Sequence, residues 1–478
     1  MSPSPRLTLA ASITGAVLVA LDGTVLTVAQ PALQRDLHAD FAQVQWTSTG
    51  YLIAVASLLV LAGRLGDRYG HQRVLAVGTL GFGAASAGIG IAPGIGWVIA
   101  LRIVQGVFGA LLQPATLGML RAAYPPDRLA SAVAIRTSAI GAAAAAGPVV
   151  GGALVTALGW RAVFALNILP ALVIGVLALG RRGTSPAPSP GAAPAPVRLD
   201  PVGAALLGTA LACLVHTLVT LPETGWTASA VLGALAATAA GAAFVRHERR
   251  AASPLVPPDL VGSRAVAASL GVLVAASATM FGALFLASWY LQDVLALDPF
   301  SAGLRGLPLA AAMVLAAPLA PVLLKRYGPR RTVASATALL TASVLVLSRL
   351  DRTAGVLSTG AGFLLMGAGF GTVMVAATAV VVRRAATAHA GVAGGLQQTA
   401  MNTGPALGVA TATTALALFA GTPHPAGPAL ENALGPSLTL LALTGTAGTA
   451  LALALPHRTA PADPAPAQAG HRRQLGTS

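Results

Sequence analysis

Two charged residues lie deep inside long apolar stretches of the sequence, where charge is costly. Asp22 is the only acidic residue well inside such a stretch, and Arg102 is the only basic one. A carboxylate buried in an apolar span costs about 2.5–3.5 kcal/mol unless it is paired or faces a polar cavity. Asp22 is therefore a candidate for binding and releasing a proton. Arg102 needs partners, for which Asp22 and backbone carbonyls are candidates, and it could bias the protonation of Asp22. The alternatives are structural: a neutral acid hydrogen-bonded between helices, and an arginine that ties helices together.

A second group of charges falls in one short loop between two apolar stretches. Asp67 stands there among Arg64, Arg68 and Arg73. Charges at helix ends interact with the helix dipole, and ion pairs here would hold two parts of the protein in one conformation. The loop therefore predicts a conformational latch. A solvated loop that only sets membrane topology is the alternative.

A glycine-rich element, Gly147-Pro148 followed by Gly151-Gly152, lies inside another apolar stretch. Proline permits a bend, and small residues permit close approach of two backbones. The element predicts a hinge or a tight seal between helices, with a simple packing seam as the alternative.

Polar side chains that interrupt other apolar stretches are candidates for lining a mainly apolar, adaptable cavity. Trp289 and Tyr290 either line the same cavity or belong to an aromatic belt at the membrane surface. The sequence contains no phosphate-binding loop of the GxxxxGK type and no cluster of metal ligands, so we expect no metal and no cofactor other than protons as the coupling ion. The polar candidates are Gln105, Gln113, Asn167, Gln397, Gln398 and Asn402.

The elements that must position these residues follow from composition. Of the 478 residues, 55% are hydrophobic and 9% are charged, whereas a soluble domain carries about 25% charged residues. This excludes a soluble enzyme and indicates a polytopic membrane protein. The net charge of +15 would suggest a nucleic-acid partner in a soluble chain. Here the basic residues are scattered through short loops, so we expect a lipid bilayer and no nucleic acid as the partner.

Fourteen apolar segments are each long enough to span a bilayer. Lys and Arg residues, among them Arg136, concentrate in alternate loops, which places both termini in the cytoplasm and the protein in the cell membrane. The segments are roughly 8–30, 46–63, 74–93, 96–120, 131–157, 160–180, 201–220, 227–245, 265–291, 303–324, 332–348, 355–382, 390–420 and 434–456.

An internal repeat divides the chain into two halves. Arg68-Tyr69-Gly70 recurs 258 residues later as Arg326-Tyr327-Gly328, and Gly147-Pro148 recurs 257 residues later as Gly404-Pro405. Two matches at nearly one offset predict homologous halves of six spans. The expected domains are a six-helix half at 1–180, a linker with an inserted two-helix pair at 181–264, a second six-helix half at 265–456 and a disordered tail at 457–478.

These motifs, taken in order, resemble signatures of the major facilitator superfamily, and within it of the fourteen-span drug:proton antiporters. Residues 63–73 are similar to the superfamily's loop signature, and residues 21–31 to the first-span signature of the fourteen-span group. Residues 102–109, 147–152 and 160–167 resemble the fourth-span, antiporter and sixth-span signatures. The resemblance implies an all-α major facilitator fold of fourteen transmembrane helices in a 6 + 2 + 6 order, with two pseudo-symmetric halves.

The residues and the resemblance together predict a proton-coupled antiporter that exports amphipathic drugs, antibiotics or similar natural products. Asp22 would be the protonation site, and the two halves would rock to give alternating access. The protein is expected to work as a monomer and to be no enzyme. One alternative is a proton-coupled exporter of metabolites or lipids with the same fold. A channel or a membrane-embedded enzyme is the alternative from another class, although no charged ring, filter loop or catalytic constellation supports it.

Overall fold

The structure is a computed structural model that describes residues 5–180, 199–225, 227–297, 299–350, 355–386, 389–422 and 427–457. Every regular element in these ranges is helical. Residues 181–198, at the start of the expected linker, lie outside the described residues, as does all of the expected tail except residue 457.

Six helices form the first half of the chain. Because lipid offers no hydrogen-bonding partner, a helix is the one way for a single apolar segment to satisfy its own backbone. The bounds are α1 Pro5–Asp36, α2 Phe41–Tyr69, α3 His71–Gly90, α4 Ile95–Ala123, α5 Pro126–Leu158 and α6 Arg161–Gly180.

An inserted pair of helices and then the second half follow. A π-helical turn, Tyr290–Val294, continues the helix before it. The bounds are α7 Pro201–Thr224, α8 Ala228–Glu248, the short α9 Pro258–Val261, α10 Arg264–Trp289, α11 Pro299–Leu347, α12 Val356–Arg384, α13 Ala390–Ala420 and α14 Gly427–Ala452.

Twelve helices of the described chain are long and apolar enough to cross a membrane, and α5 adds a thirteenth if its two parts, bent by 43°, count as one span. The expected segments 303–324 and 332–348 fall in α11, apart from residue 348, and the non-helical backbone of Gly328 (φ 77°) divides α11 into two helices joined by a kink. Gly70, which separates α2 from α3, has φ 92°. Both turns need the left-handed backbone that glycine adopts readily.

The halves meet most closely at one end of the bundle, here called the Asp67 end, where α2 ends and α13 begins. Helix α2 packs against α13 there, α4 also packs against α13, and α5 packs against α11. The inserted α7 lies against both α2 and α13. At the opposite end, here called the Asp36 end, α1 finishes at Asp36.

Candidate functional site

A closed polar network surrounds Asp22 inside the first half. Arg102 of α4 donates from Nη1 to Asp22 Oδ2 over 2.6 Å. Asn167 of α6 donates from Nδ2 to Asp22 Oδ1 over 2.7 Å, and Gln105 donates from Nε2 to the same oxygen over 3.2 Å. The side chains of Asp22 and Arg102 are each about 1% exposed. The sequence prediction that Arg102 would find Asp22 therefore matches the geometry.

Two further helices complete the enclosure of Arg102 and its amide neighbours. Ser86 of α3 accepts a hydrogen bond from Gln105 at 2.7 Å. Arg102 Nε donates to the carbonyl oxygen of Thr47 in α2 at 3.0 Å, and its guanidinium stacks 4.3 Å from the ring centre of Tyr51. Cation–π contact and hydrogen bonds compensate a buried guanidinium. Five helices thus hold one carboxylate and one cation in contact.

The three donors around Asp22 are arranged for a carboxylate acceptor. In its ionised form the carboxylate accepts all three donors. A proton on Asp22 would remove the charge that Arg102 pairs with, and would leave Arg102 with neutral acceptors only. Because an uncompensated buried cation is strongly unfavourable, protonation must change the packing around both residues. Gln105 and Asn167, which were expected to line a cavity, instead bind this carboxylate in the observed conformation.

The glycine element of α5 lies directly against the helix that carries Asp22. A Cβ atom at Gly147 would overlap Thr24, and one at Gly151 would press on Val25. Gly152 has more space, since its Cβ would meet Val28 at 4.0 Å. Pro148 lies in the same helix. The element forms a close seam between α1 and α5 within one turn of Asp22.

The structure brings Asp67 to the first turn of α13 in the other half. Its Oδ1 accepts from the backbone N–H of Gly391 at 2.7 Å, and its Oδ2 from that of Val392 at 3.1 Å. His71 lies 3.5 Å from Oδ1. A carboxylate at a helix N-terminus binds unsatisfied N–H groups and complements the helix dipole. The charge expected to form ion pairs with arginines therefore binds backbone amides across the interface between the halves.

The segment expected as a loop is helical except at Gly70, and its three arginines take different places. Arg64 is buried and donates from Nε to the carbonyl oxygen of Leu255 at 2.6 Å, and from Nη2 to that of Pro254. Arg68 and Arg73 are exposed. Of the three, Arg64 alone joins the loop to another part of the described chain by hydrogen bonds.

Residues 251–263, here called the strap, connect α8 to α10 and receive Arg64. Glu248 accepts from the backbone N–H groups of Leu255 and Val256 at 2.8 and 3.0 Å. These two side chains are buried in one apolar cluster with Val60 of α2 and Val392 of α13. The inserted pair is thereby fastened to the place where the two halves close.

The remaining polar candidates are spread over several surfaces. Gln397 is 2% exposed, and its Oε1 has no partner among the described residues. Asn402 donates to the carbonyl oxygen of Gln398 within α13. Trp289 packs on Phe285, and Tyr290 lines a small cavity inside the second half.

One expectation about charge is wrong. Arg136, which the sequence pattern groups with the loop arginines, is 3% exposed inside α5, ten residues after the helix begins. Its Nη2 donates to Gln113 Oε1 at 2.5 Å and to Thr116 Oγ1 at 3.2 Å. Arg102 is therefore not the only basic residue deep in a span. The signal that could have found Arg136 is its distance from the helix start, about 15 Å at 1.5 Å per residue.

A separate ion pair closes the Asp36 end of the first half. Asp36 Oδ2 accepts from Trp160 Nε1 at 2.9 Å and from Arg161 Nη1 at 2.6 Å. The hydrogen bond from Trp160, followed by that from Arg161, lowers the pKa of Asp36 below its ordinary 3.8. Both ion-pair partners are almost half exposed, so the pair orients α1 and α6 more than it stabilises them.

Comparison with known proteins places this geometry in a family context. A family model described as Major Facilitator Superfamily matches residues 13–409. The chain is 40% identical to the tetracenomycin C resistance and export protein of Streptomyces glaucescens, over 88% of this chain and 78% of that protein. It is 35% identical to the puromycin resistance protein of Streptomyces alboniger (83% and 79% covered) and 30% identical to the multidrug efflux pump LfrA of Mycolicibacterium smegmatis (91% and 87% covered).

A solved structure shares the fold. The crystal structure of the human organic anion transporter MFSD10 superposes with a TM-score of 0.67 at 16% sequence identity, covering 94% of this chain and all of that one. At this identity the match concerns the helical architecture alone. It confirms the expected all-helical fold.

Proposed function

Because the chain belongs to the Major Facilitator Superfamily, we propose that it exports amphipathic drugs or natural-product antibiotics across the cell membrane in exchange for protons. The chain is a membrane transporter and not an enzyme. Its relatives are named for export of tetracenomycin C, for puromycin resistance and for multidrug efflux. These names support an antibiotic or drug as the cargo.

The single observation that carries proton coupling is the enclosed pair of Asp22 and Arg102. An acid in mid-span that contacts one cation changes the net charge of its surroundings when it binds a proton. Protonation would release Arg102 and favour one access state, and deprotonation would restore the 2.6 Å pair. Protons are then the only coupling partner that the mechanism needs.

Alternating access would work through the contacts at the Asp67 end. Asp67 on the α13 amides, α4 on α13 and α5 on α11 close this end in the observed conformation. The exposed Arg68 and Arg73 lie there, and basic loops favour the cytoplasmic side. We therefore take the Asp67 end to be cytoplasmic, both termini with it, and the observed conformation to be closed toward the cytoplasm.

Fourteen spans follow if α11 counts as two. A straight helix of its 49 residues would measure about 73 Å at 1.5 Å per residue, and a bilayer core is about 30 Å thick. The break at Gly328 falls where α2 and α3 separate at Gly70 in the first half. One chain encloses the whole Asp22 network, which supports a monomeric transporter.

A resistance assay tests the export of antibiotics. The chain would be expressed in a sensitive bacterial host, and growth would be measured against tetracenomycin C, puromycin and lincomycin. We expect wild type to raise the inhibitory concentration of at least one compound, and Asp22→Asn, expressed to the same level, to give none of that protection. Equal protection by both forms would overturn the role of Asp22. If neither wild type nor the variant protects the host, although wild type is correctly inserted in the membrane, the proposal that these antibiotics are the cargo is overturned.

A further inference from the structure

A buried cation without an acidic partner lies where the two halves meet. Four contacts between a basic side chain and a carboxylate occur among the described residues, two of them through histidine, and none of them contains Arg136. Its hydrogen-bond acceptors, Gln113 and Thr116, are both neutral, and its Nε has no partner in the described part of the chain. An arginine side chain stays charged in proteins. Arg136 therefore differs from Arg102, whose charge Asp22 balances.

Arg136 lies between α5 and α4, beside an apolar cluster that joins the two halves. It lies three and four residues after Val133 and Ala132, and neighbours at these spacings share a helix face. Val133 and Ala132 pack in one apolar cluster with Ala317 of α11 and Val375 of α12. Leu120, one turn after Thr116 on α4, belongs to the same cluster. Arg136 and its acceptors thus border an apolar contact that must separate if the halves rock apart.

The acceptor of Arg136 is also at this interface. Gln113 precedes Pro114, which packs against Gly394 of α13. One turn beyond Gly394 on α13 is Gln397, whose buried Oε1 also lacks a partner among the described residues. Helices α5 and α13 both pack against α4, and each buries one unsatisfied polar atom, a donor on Arg136 in the first half and an acceptor on Gln397 in the second.

We propose that Arg136 is the anion-binding group of the cargo site, and that the protein binds amphipathic organic acids, with an apolar body and one carboxylate, in preference to their neutral forms. A carboxylate can accept two parallel hydrogen bonds from a guanidinium, and the unused Nε is one of the two donors needed for that geometry. The inference rests on the proposed function, because it assigns the charge of that cargo. Opening of the Asp67 end would expose Arg136 to the cytoplasm, and Gln113 and Thr116 hold it when that end is closed.

Binding measurements on purified full-length protein in detergent test this without a proton gradient. The probes are aromatic monocarboxylic acids of increasing size, 9-anthracenecarboxylic acid among them, each compared with its own carboxamide. We expect wild type to bind at least one acid about tenfold or more tightly than its amide, which corresponds to one charge-assisted contact. If no acid binds more tightly than its amide, including the case of no binding at all, the proposal is overturned.

Variants then assign the preference to one side chain. Arg136→Gln should equalise the affinities of acid and amide, and Arg136→Lys should keep part of the preference because it keeps the charge but loses the planar fork. The matched control is Arg128→Gln, which removes the same charge from an exposed position two turns earlier on α5 and should leave the preference intact. Retention of the full preference by a folded Arg136→Gln protein would overturn the assignment. If that variant does not fold, the comparison of acid and amide in wild type still decides.

Transport measurements distinguish a failure of the anion site from a failure of the proposed export function on which it rests. Proton-driven flux of the acid in liposomes that is equal in wild type and Arg136→Gln would overturn the anion site and leave the exporter standing. The other outcome is that wild type binds the acid preferentially, Arg136→Gln abolishes this preference, and wild type shows no proton-driven flux. That result would support the anion site and overturn the exporter.

Discussion

Helices α4 and α12 occupy corresponding places in the two halves and differ in what they bury. Both have 29 residues. Gly106 of α4 packs against the backbone carbonyl of Tyr51 in α2, and Gly367 of α12 packs in the same way against that of Leu309 in α11. Tyr51 and Leu309 are related by the offset of 258 residues that relates the two glycine turns. Gly106 and Gly367 are 261 residues apart, so the matching contact pairs α12 with α4 at an offset of 261, three residues more than the offset of α11 from α2.

The buried side chains on these helices are of opposite character. In the same register, Phe363 and Met366 of α12 stand where α4 has Arg102 and Gln105, and all four are 2% exposed or less. The first half thus holds a charged network where the second half holds an apolar core. Helix packing therefore depends on the glycine contacts that both halves share, whereas the charged network belongs to the first half alone among these matched positions.

The largest expected effect is on stability, from breaking the charge pair. Arg102→Met should lower the free energy of unfolding by about 3–5 kcal/mol, because Asp22 would be left buried without a counter-charge. At the corresponding position, Phe363→Leu conserves apolar character and should cost less than about 1.5 kcal/mol. Denaturant unfolding in mixed micelles measures both.

A double variant sharpens that result. Asp22→Asn combined with Arg102→Met removes both charges, so its loss should be smaller than that of Arg102→Met alone. The difference is the coupling energy between the two residues. Strictly additive losses would show that Asp22 and Arg102 do not interact.

A smaller effect is expected at the interface between the halves, where Asp67 has Lys325 as its counterpart 258 residues later. Asp67→Asn weakens two charge-assisted hydrogen bonds to α13 and should destabilise the closed conformation by about 1.5–3 kcal/mol. Lys325 is exposed, so Lys325→Met should change nothing. The measurement is the alkylation rate of a cysteine placed at the buried Val392, in a Cys213→Ser background. A rate that Asp67→Asn leaves unchanged would refute the latch.

The third largest effect is expected on the attachment of the strap to Arg64. Arg64→Gln removes the charged donor to the carbonyls of Leu255 and Pro254, so amide hydrogen exchange at Leu255 and Val256 should accelerate by about tenfold, the factor for a contact of about 1.4 kcal/mol. The counterpart of Arg64 in the second half is the exposed Val322, and Val322→Ala is the control. Unchanged exchange in Arg64→Gln would show that the apolar cluster alone fastens the strap.

The smallest effect is the pH dependence of the Asp36 pair. The pKa of Asp36 is lowered in the folded protein, so its stabilising contribution is present above the ordinary value of 3.8 and is lost as the pH falls through the lowered one. Melting temperatures of wild type and Asp36→Asn should therefore differ by a constant small amount from pH 8 to 5. The difference should close below about pH 3.8. A difference that grows on acidification would contradict this sign, and Asp293→Asn, at an exposed position, serves as control.

The sequence could predict the helices and the contact of Asp22 with Arg102, because an apolar span must be helical and two mid-span charges of opposite sign need each other. It could not predict that Asp67 binds the N–H groups of Gly391 and Val392, because backbone amides leave no mark in a pattern of side chains. The side-chain amide of Asn167 is uncharged, so the sequence does not indicate which group it will bind. Only the structure shows that it donates to Asp22.

Arg136 shows a further limit. Near the start of a span, a basic residue has the same sequence signature whether it points to solvent or into the protein, so Arg136 is grouped with the loops by its sequence pattern alone. At Gly328 the pattern is sufficient, because the two segments expected on either side of this glycine are two helices joined by a kink.

The central claim is that Asp22 carries the coupling proton, and substrate-triggered proton movement tests it most directly. Wild type and Asp22→Asn would be reconstituted in liposomes with an imposed pH gradient, and lumenal pH would be followed as tetracenomycin C, puromycin or the organic acids above are added. The account predicts proton movement on addition of cargo in wild type and none above the protein-free background in Asp22→Asn. Cargo-triggered proton movement of equal size in Asp22→Asn would contradict it.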